Sequence, residues 1–395
     1  MATTGSGTLS PLEARIAGWL AEQKPRMLDL LADVVTIDSG SYDKAGVDAV
    51  GARFIDFFRS EGLVVDVEAL ETYGDAIHIR LDETPSNEKP IVLMGHRDTV
   101  FPAGEAARRP FRIEGGRAYG PGVSDMKGGL VLNAFVLAAF KRFGGNPAPL
   151  AGLITSDEEI ASPGCRSVIE RVARQARCVL NSEPGRPSGN VVTGRKGAVF
   201  MRMTVHGRAA HSGSNFEKGL SAIGEIAHKI VAMHALTDLP RGLTVNVGLV
   251  SGGQSVNTTA PLAEGRIDLR YVAPGDRQHA LDALQRIVDT ATVPGTTAAL
   301  EILGEFLPLT KPAGSAELFE TYVAAAADAG LTVAGEFSGG CADSGFTTAV
   351  GCPTICATGP VGANAHTPEE FMEVETLVPR AQAMALAILR LPADR

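Results

Sequence analysis

Three short, unbroken apolar runs constrain this chain more than anything else in it: Ile91-Val92-Leu93-Met94, Leu150–Ile154 and Cys178-Val179-Leu180. A strand with one wet face alternates apolar and polar residues. A run without alternation, too short for a helix, fits a strand buried on both faces. Between the runs the period changes. Met126 to Phe143 is apolar and Ala-rich, and it ends in Lys141-Arg142 before Gly144-Gly145, which reads as a helix with its stop signal. Pro163 to Arg174 is also helical in pattern. Strands alternating with helices specify an α/β sheet covered on both faces.

The flanking sequence extends this picture. Residues 1–9 are small and polar and read as a mobile tail. Ser10-Pro11-Leu12-Glu13 has the form of a helix N-cap with proline in the first helical position. Val47 to Phe58 carries apolar residues at helical spacing, while 64–67 and 76–79 alternate like strands. From about Arg195 a different order begins. Strand Ala198–Val205, helix Gly219–Leu236, strands Leu243–Val250 and Glu264–Tyr271, helix Gln278–Thr290 and strand Ala298–Leu303 give β-α-β-β-α-β. That is the order of a ferredoxin-like sandwich. The α/β rhythm returns near Leu307, with a helix at Ser315–Ala329, a strand at 353–355 and a last helix from Glu375. The expectation is a discontinuous α/β domain over 1–194 and 307–395, interrupted by an α+β domain over 195–306. A length of 395 residues agrees with two domains.

Composition narrows the function classes. The apolar fraction of 45% and charged fraction of 21% are those of a globular protein. A net charge of −9 argues against nucleic acid or an anionic membrane as the main partner. Five cysteines, an odd number with no CxxC spacing, favour neither a disulfide framework nor a cysteine zinc site. No uncharged apolar run of about 18 residues and no secretory leader are evident, so a cytoplasmic location is expected.

The ends of the apolar runs carry the chemistry. Ile91–Met94 leads into Gly95-His96-Arg97-Asp98, and Leu150–Ile154 leads into TSDEEIAS, with Asp157, Glu158 and Glu159 adjacent. Cys178–Leu180 leads into Asn181-Ser182-Glu183. Asp125 precedes the long apolar helix, and His366 follows Gly362-Ala363-Asn364-Ala365. Taken singly, His96 is a loop histidine, Asp125 a helix cap and the acidic triplet a solvated loop. Taken together, they fall where ligands bind in open α/β sheets, outside the carboxyl ends of the strands. Histidine and carboxylate without thiolate suit zinc or a similar metal. Three consecutive carboxylates repel one another, so either water or a cation must compensate them.

The segments GHRDTV (95–100), GPGVSDMKGG (120–129), TSDEEIAS (155–162), NSEPG (181–185) and AHTPEE (365–370) resemble the M20 metallopeptidases, in particular the glutamate carboxypeptidase-like and N-acyl-amino-acid deacylase branch. The resemblance runs over nearly the whole chain. It implies a zinc-peptidase-type α/β catalytic domain, an inserted ferredoxin-like lid and dimerisation domain, and a homodimer. It also implies two divalent metal ions per subunit, zinc by expectation. His96, Asp125 and Glu183 would hold one ion; Asp125, Glu159 and His366 would hold the other, with Asp125 bridging. Glu158 would be the general base and Asp98 the partner that orients His96. In the inserted domain, the GRAAHSG segment resembles one whose histidine, here His211, reaches a neighbouring subunit's site to stabilise an oxyanion. Asn257 and Arg270 match positions that hold substrate, Arg270 by clamping a carboxylate.

One loop departs from the pattern. In SGGCADSGF (338–346) relatives carry Ser or Thr where Ala342 stands and a small residue where Cys341 stands. Gly340 and Cys341 are expected near substrate, with Cys341 a packing residue or metal-site thiol rather than a nucleophile. The implied reaction is metal-dependent hydrolysis of an amide bond beside an amino acid with a free carboxylate, as in a carboxypeptidase or N-acyl-amino-acid amidohydrolase. The substrate would be a small amino-acid conjugate. The altered loop leaves open a carbamoyl, ureido or other non-peptide amide. A metal-binding protein without catalysis is the alternative from a different class.

Overall fold

A computed structural model describes residues 8–81 and 88–392. Most of the expected tail therefore lies outside the described residues. The chain divides into two compact units: one comprises the residues up to Gly194, Thr310–Ser338 and those from Ala342 onward, the other Arg195–Leu309 and Gly339–Cys341.

The larger unit is built on an eight-stranded sheet. In spatial order the strands are Val64–Glu68, Ala76–Arg80, Leu150–Thr155, Ile91–His96, Cys178–Asn181, Thr354–Cys356, Val191–Arg195 and Gly335–Ser338. The three apolar runs are neighbours at its centre and run parallel, Ile91–His96 pairing with Leu150–Thr155 on one side and Cys178–Asn181 on the other. Every residue of Ile91–His96 is buried, as a strand covered on both faces requires. Because these strands are parallel, their carboxyl ends lie at one edge, with His96 level with Thr155.

Helix Gly128–Phe143 packs on this sheet and against helices Pro11–Glu22, Lys24–Val35 and Val374–Arg390. It and the turn before it are long and apolar enough to cross a membrane, but 94% of the most apolar stretch is buried within the fold. It is a core helix. Its start must come close to the strand end that carries Glu183: a Cβ at Gly129 would sit 1.9 Å from the carbonyl oxygen of Ser182. The first helix has the expected cap, Ser10 Oγ accepting from the Glu13 N–H at 3.3 Å and the Ser10 N–H donating to Glu13 Oε2 at 2.7 Å.

The smaller unit has the strands Thr244–Gly252, Leu262–Tyr271, Gly197–His206 and Thr297–Phe306 in that spatial order, all antiparallel. Helices Ala222–His234 and Pro274–Asp289 complete β-α-β-β-α-β. Burial along Gly197–His206 alternates, and Val199, Met201, Met203 and Val205 join Ile226 and Leu284 in a separate core.

Candidate metal centre and active site

The central strand ends converge on a cluster of carboxylates and imidazoles. His96, the last residue of its strand, is 1% exposed, and its Nε2 lies 3.3 Å from Asp125 Oδ1 and 3.8 Å from both Glu158 Oε2 and Glu183 Oε1. His366 Nε2 lies 3.4 Å from Asp125 Oδ2 and 3.0 Å from Glu159 Oε2. The two oxygens of Asp125 thus face different histidines. Ligand atoms of His96, Asp125 and Glu159 all fall within 4.8 Å of one another.

Each side chain is placed by its local backbone. Asp125 lies in an irregular turn, Val123–Lys127, that contains a cis Asp125–Met126 peptide; regular α-helix starts at Gly128 rather than Met126. The side chain of Asp125 makes no cap bond. Its turn is held by Glu370, fully buried, whose carboxylate accepts the N–H groups of Gly122 at 3.0 Å, Ser124 at 2.8 Å and Asp125 at 3.0 Å. Glu158 and Glu159 occupy one turn of 3₁₀-helix, closed by Ala161 and Ser162 at φ 70° and 51°. His366 has φ 65°. Left-handed backbone at non-glycine residues is uncommon and tends to gather at functional sites.

Asp98 ties two of these pieces together. Its carboxylate lies 3.3 Å from His96 Nδ1 and accepts from Ser41 Oγ at 2.6 Å. It also accepts the backbone N–H groups of Glu158 and Glu159, each at 3.1 Å. The Asp98 backbone carbonyl lies closer still to His96 Nδ1, at 3.1 Å, so this one residue fixes the His96 ring through carbonyl and carboxylate and the acidic turn through its carboxylate, and with Nδ1 directed at Asp98 the free Nε2 faces the cluster. Asp157 supports the same turn from behind, accepting the N–H of Gly164 at 2.5 Å and of Cys165 at 3.2 Å. Asp157 is fully buried and Glu158 is 7% exposed, so bulk water does not compensate the triplet.

The electrostatics follow from this crowding. Burial, aided by Asp125, raises the Glu159 carboxyl to about 7, and burial together with Glu183 and Asp343 pushes Glu158 well above the ordinary range. Hydrogen bonds to Asp125 and Glu159 raise His366 to about 10. The cationic partners of Asp125, Glu158 and Glu159 among the described residues are imidazoles, not Lys or Arg. A carboxylate facing two histidines, with further carboxylates beside each, is a donor set suited to divalent cations.

Several contributors were not singled out in the sequence. Glu370 stood unassigned within AHTPEE, and Ser41 offered no signal at 57 residues from Asp98. Arg97 is fully buried and donates to the carbonyls of Val47, Thr155 and Asp75 and to Asp48, which ties the strand end to helix Lys44–Ser60. Asp343, beside the unusual Ala342, accepts from Ser162 Oγ at 2.5 Å and Thr155 Oγ1 at 3.2 Å.

In the smaller unit, His211 and Asn257 lie on paired loops: the Ser212 N–H donates to the Asn257 carbonyl at 2.9 Å, and His211 bridges Thr258. His211 is exposed, and its Nδ1 accepts the N–H groups of Gly213 at 3.1 Å and Ser214 at 3.3 Å. That leaves the proton on Nε2, as a donor. Arg270 forks onto Asp268 at 2.8 and 3.1 Å, and its third nitrogen lies 3.0 Å from Cys341 Sγ. Arg195 holds the carbonyls of Gly340 and Cys341, each at 3.2 Å. Cys341 is thus a partner of arginine.

A discontinuous α/β unit with an α+β insertion and a buried imidazole–carboxylate cluster at its strand ends defines a metallohydrolase. The sequence profile of Peptidase family M20/M25/M40 matches residues 92–390, and the chain belongs to that family. It is 27% identical to carboxypeptidase G2 of Pseudomonas sp. (strain RS-16) over 95% of this chain and 91% of that protein. It is 28% identical to an acetylornithine deacetylase of Pasteurella multocida (strain Pm70) over 84% of this chain and 88% of that one. The fold matches an M20 family metallo-carboxypeptidase, Sso-CP2 of Sulfolobus solfataricus, with a TM-score of 0.77 over 92% of this chain and 98% of that one at 18% identity.

Proposed function

We propose that the protein hydrolyses the amide bond of an N-acyl amino acid or short peptide whose amine-side residue keeps a free α-carboxylate, using two divalent ions, zinc in the first instance. The observation that carries this reading is Asp125, whose two oxygens face His96 and His366 separately, with Glu159 beside one histidine and Glu183 beside the other. Asp125 would be shared between the two ions. The ions would supply Lewis-acid polarisation of the scissile carbonyl and activation of water. Glu158, close to the cluster but not facing His366, would take the proton from water and return it to the leaving nitrogen. Asp98 would hold His96 and the turn of Glu158 in place. Arg270 would exchange Asp268 for the substrate carboxylate, its planar fork suiting either. Asn257 would add a polar contact to substrate, and Gly340 and Cys341 would border it.

The chain would act as a homodimer in the cytoplasm. Val231, Leu249, Val250 and Val256 are exposed on the smaller unit, with Leu249 and Val250 on its edge strand Thr244–Gly252; such an edge invites a second copy. His211 would then donate from Nε2 to the oxyanion in the partner's site. All five cysteines are free, which supports a reducing compartment.

The test is a panel of one acyl group on several amino acids, each with its α-carboxylate free or converted to the primary amide, assayed with metal-loaded enzyme. The free acids should turn over far faster. Equal turnover of acids and amides would overturn the carboxylate requirement. For the shared site, inactive His211→Ala and Glu158→Ala proteins are mixed, and activity should reappear once subunits exchange. Exchange without recovery would count against a histidine acting across subunits.

A further inference from the structure

A cavity of about 500 Å³ opens directly beside the cluster, with Glu159 in its wall. Three loops of the larger unit form it: the segment before helix Lys44–Ser60, the segment after strand Ile91–His96, and the turn that carries Glu158 and Glu159. Its volume lies in the range of small-molecule sites. Its lining is mostly apolar, from Val100, Phe101, Pro102, Ile160 and the ring of Tyr42. Among the described lining residues there is no Lys or Arg, and the charged groups are Asp43 and Glu159.

The walls are built rather than loose. The Thr99 N–H donates to the Ser39 carbonyl at 2.8 Å and the Ser41 N–H to the Thr99 carbonyl at 3.3 Å, so two of the loops are laced together. Gly40 permits that approach, since a Cβ there would lie 2.6 Å from the Phe101 carbonyl oxygen. The Phe101 ring lies under the Arg109 guanidinium at 4.5 Å, and Arg109 is itself anchored to the Pro368 carbonyl at 2.9 Å. Yet Tyr42 remains 80% exposed and Val100 42% exposed. Their apolar surface is left for something other than the core to cover.

We propose that this cavity is the acyl-group subsite and that it selects an uncharged, apolar acyl group larger than acetyl. The assignment rests on the amide-hydrolase reading above and adds the identity of the other half of the substrate. Contact with Glu159 puts the cavity next to the reacting carbonyl. The apolar wall stabilises aliphatic or aromatic carbon by removing it from water. With Asp43 in the wall and no Lys or Arg among the described lining residues, an acidic acyl group such as succinyl loses its hydration there without a lining donor to replace it.

The test uses the metal-loaded enzyme and N-acetyl, N-hexanoyl, N-benzoyl and N-succinyl derivatives of one amino acid. Hexanoyl or benzoyl should exceed acetyl in kcat/KM by about tenfold or more, since each added methylene or ring carbon is removed from water. Succinyl should fall below acetyl. In Val100→Asp the ratio of hexanoyl to acetyl should collapse towards one, chiefly through KM. Independently of turnover, 3-phenylpropionamide should bind wild type in ligand-observed NMR and fail to bind Val100→Asp. Acetyl or succinyl preferred by the wild type, or an unchanged ratio in a folded Val100→Asp protein, would overturn the subsite and leave the hydrolase reading intact. No turnover of any of the four substrates would overturn the hydrolase reading, and the subsite with it.

Discussion

Two sets of buried charges in this molecule are treated in opposite ways. In the smaller unit, Glu225 and Lys229 sit one helical turn apart, 1% and 2% exposed, with 2.8 Å between them. Lys229 also donates to the carbonyls of Ile287, Val288 and Thr290, while Glu225 accepts the N–H groups of Thr292 and Val293. That pair is closed: charge balances and each group has several partners, as a buried ion pair requires. In the larger unit, Asp98, Asp125, Glu158, Glu159 and Glu183 surround two imidazoles. Asp98 is satisfied by hydrogen bonds, whereas burial and neighbouring carboxylates raise Glu158 and Glu159, which disfavours their charged forms. The first arrangement serves folding. The second has the donor set of a site for divalent cations.

The sharpest way to break this contrast is to remove one charge from each set. Glu158→Gln should lower kcat by about 10²–10⁴, the usual worth of a general base. Its metal content should persist, and the metal-free variant should melt no lower than metal-free wild type, because one crowded carboxylate has gone. Metal analysis, steady-state kinetics and melting with chelator check all three. A large loss of stability would mean that the cluster is structural in the way the Lys229 pair is.

Lys229→Met should do the reverse. It strands a buried carboxylate and leaves three helix-end carbonyls without a donor, so destabilisation of about 3–5 kcal/mol is expected, read by urea unfolding. Replacing both members, Glu225→Leu with Lys229→Met, should recover much of that loss. Failure of the double variant to recover would show that the backbone contacts, not the charge pair, carry the cost.

The contrast also explains what could be read from the sequence. The central strands were legible because burial on both faces leaves an unbroken apolar run, and the alternating strands of the insertion because one face is wet. The cluster residues were legible because parallel strands bring their ends to one edge. Glu370, Ser41 and Arg97 were not. Each acts on backbone or on another side chain far away in sequence, and a buried arginine or glutamate has no period that distinguishes it from a surface one. The long helix starts two residues later than its apolar pattern implies for the same reason: Glu370 draws the N–H groups of Gly122, Ser124 and Asp125 to itself, and nothing near Met126 announces that.

Asp98 belongs to both categories, satisfied like the Lys229 pair yet working for the cluster. Asp98→Asn keeps the shape but turns one acceptor oxygen into a donor facing Ser41 or the N–H groups of 158 and 159. Metal affinity should fall about 10–100-fold, the usual effect of removing such an orienting carboxylate. Titration against a competing chelator measures it. Unchanged affinity would mean that the Asp98 backbone carbonyl, 3.1 Å from His96 Nδ1, suffices to orient the ring.

The smallest expected effect separates the two sets by pH. Without metal, Glu159 titrates near 7 against an ordinary 4.5, and His366 near 10 against an ordinary 6.5. Both folded values are raised, so these two groups hold more protons in the folded protein than in the unfolded chain from the ordinary carboxylate range up to about 10, while buried Lys127, lowered by desolvation to about 7, acts the other way above pH 7 in loaded and chelated protein alike. The stability that Glu159 and His366 lend the chelated protein should therefore decline as pH rises through that window. Glu225 lies outside it: burial raises its carboxyl, but Lys229 and the N–H donors outweigh that and hold it below the ordinary value. Divalent ions displace the cluster's extra protons, so their affinity grows in the direction in which the chelated protein weakens. The gap in melting temperature between loaded and chelated protein should widen from about pH 5.5 to about pH 8.5, and saturation at a hundredfold excess over Kd would account for ~2.7 kcal/mol of it. A gap that stays constant or narrows would mean that the cluster is not where the metal binds.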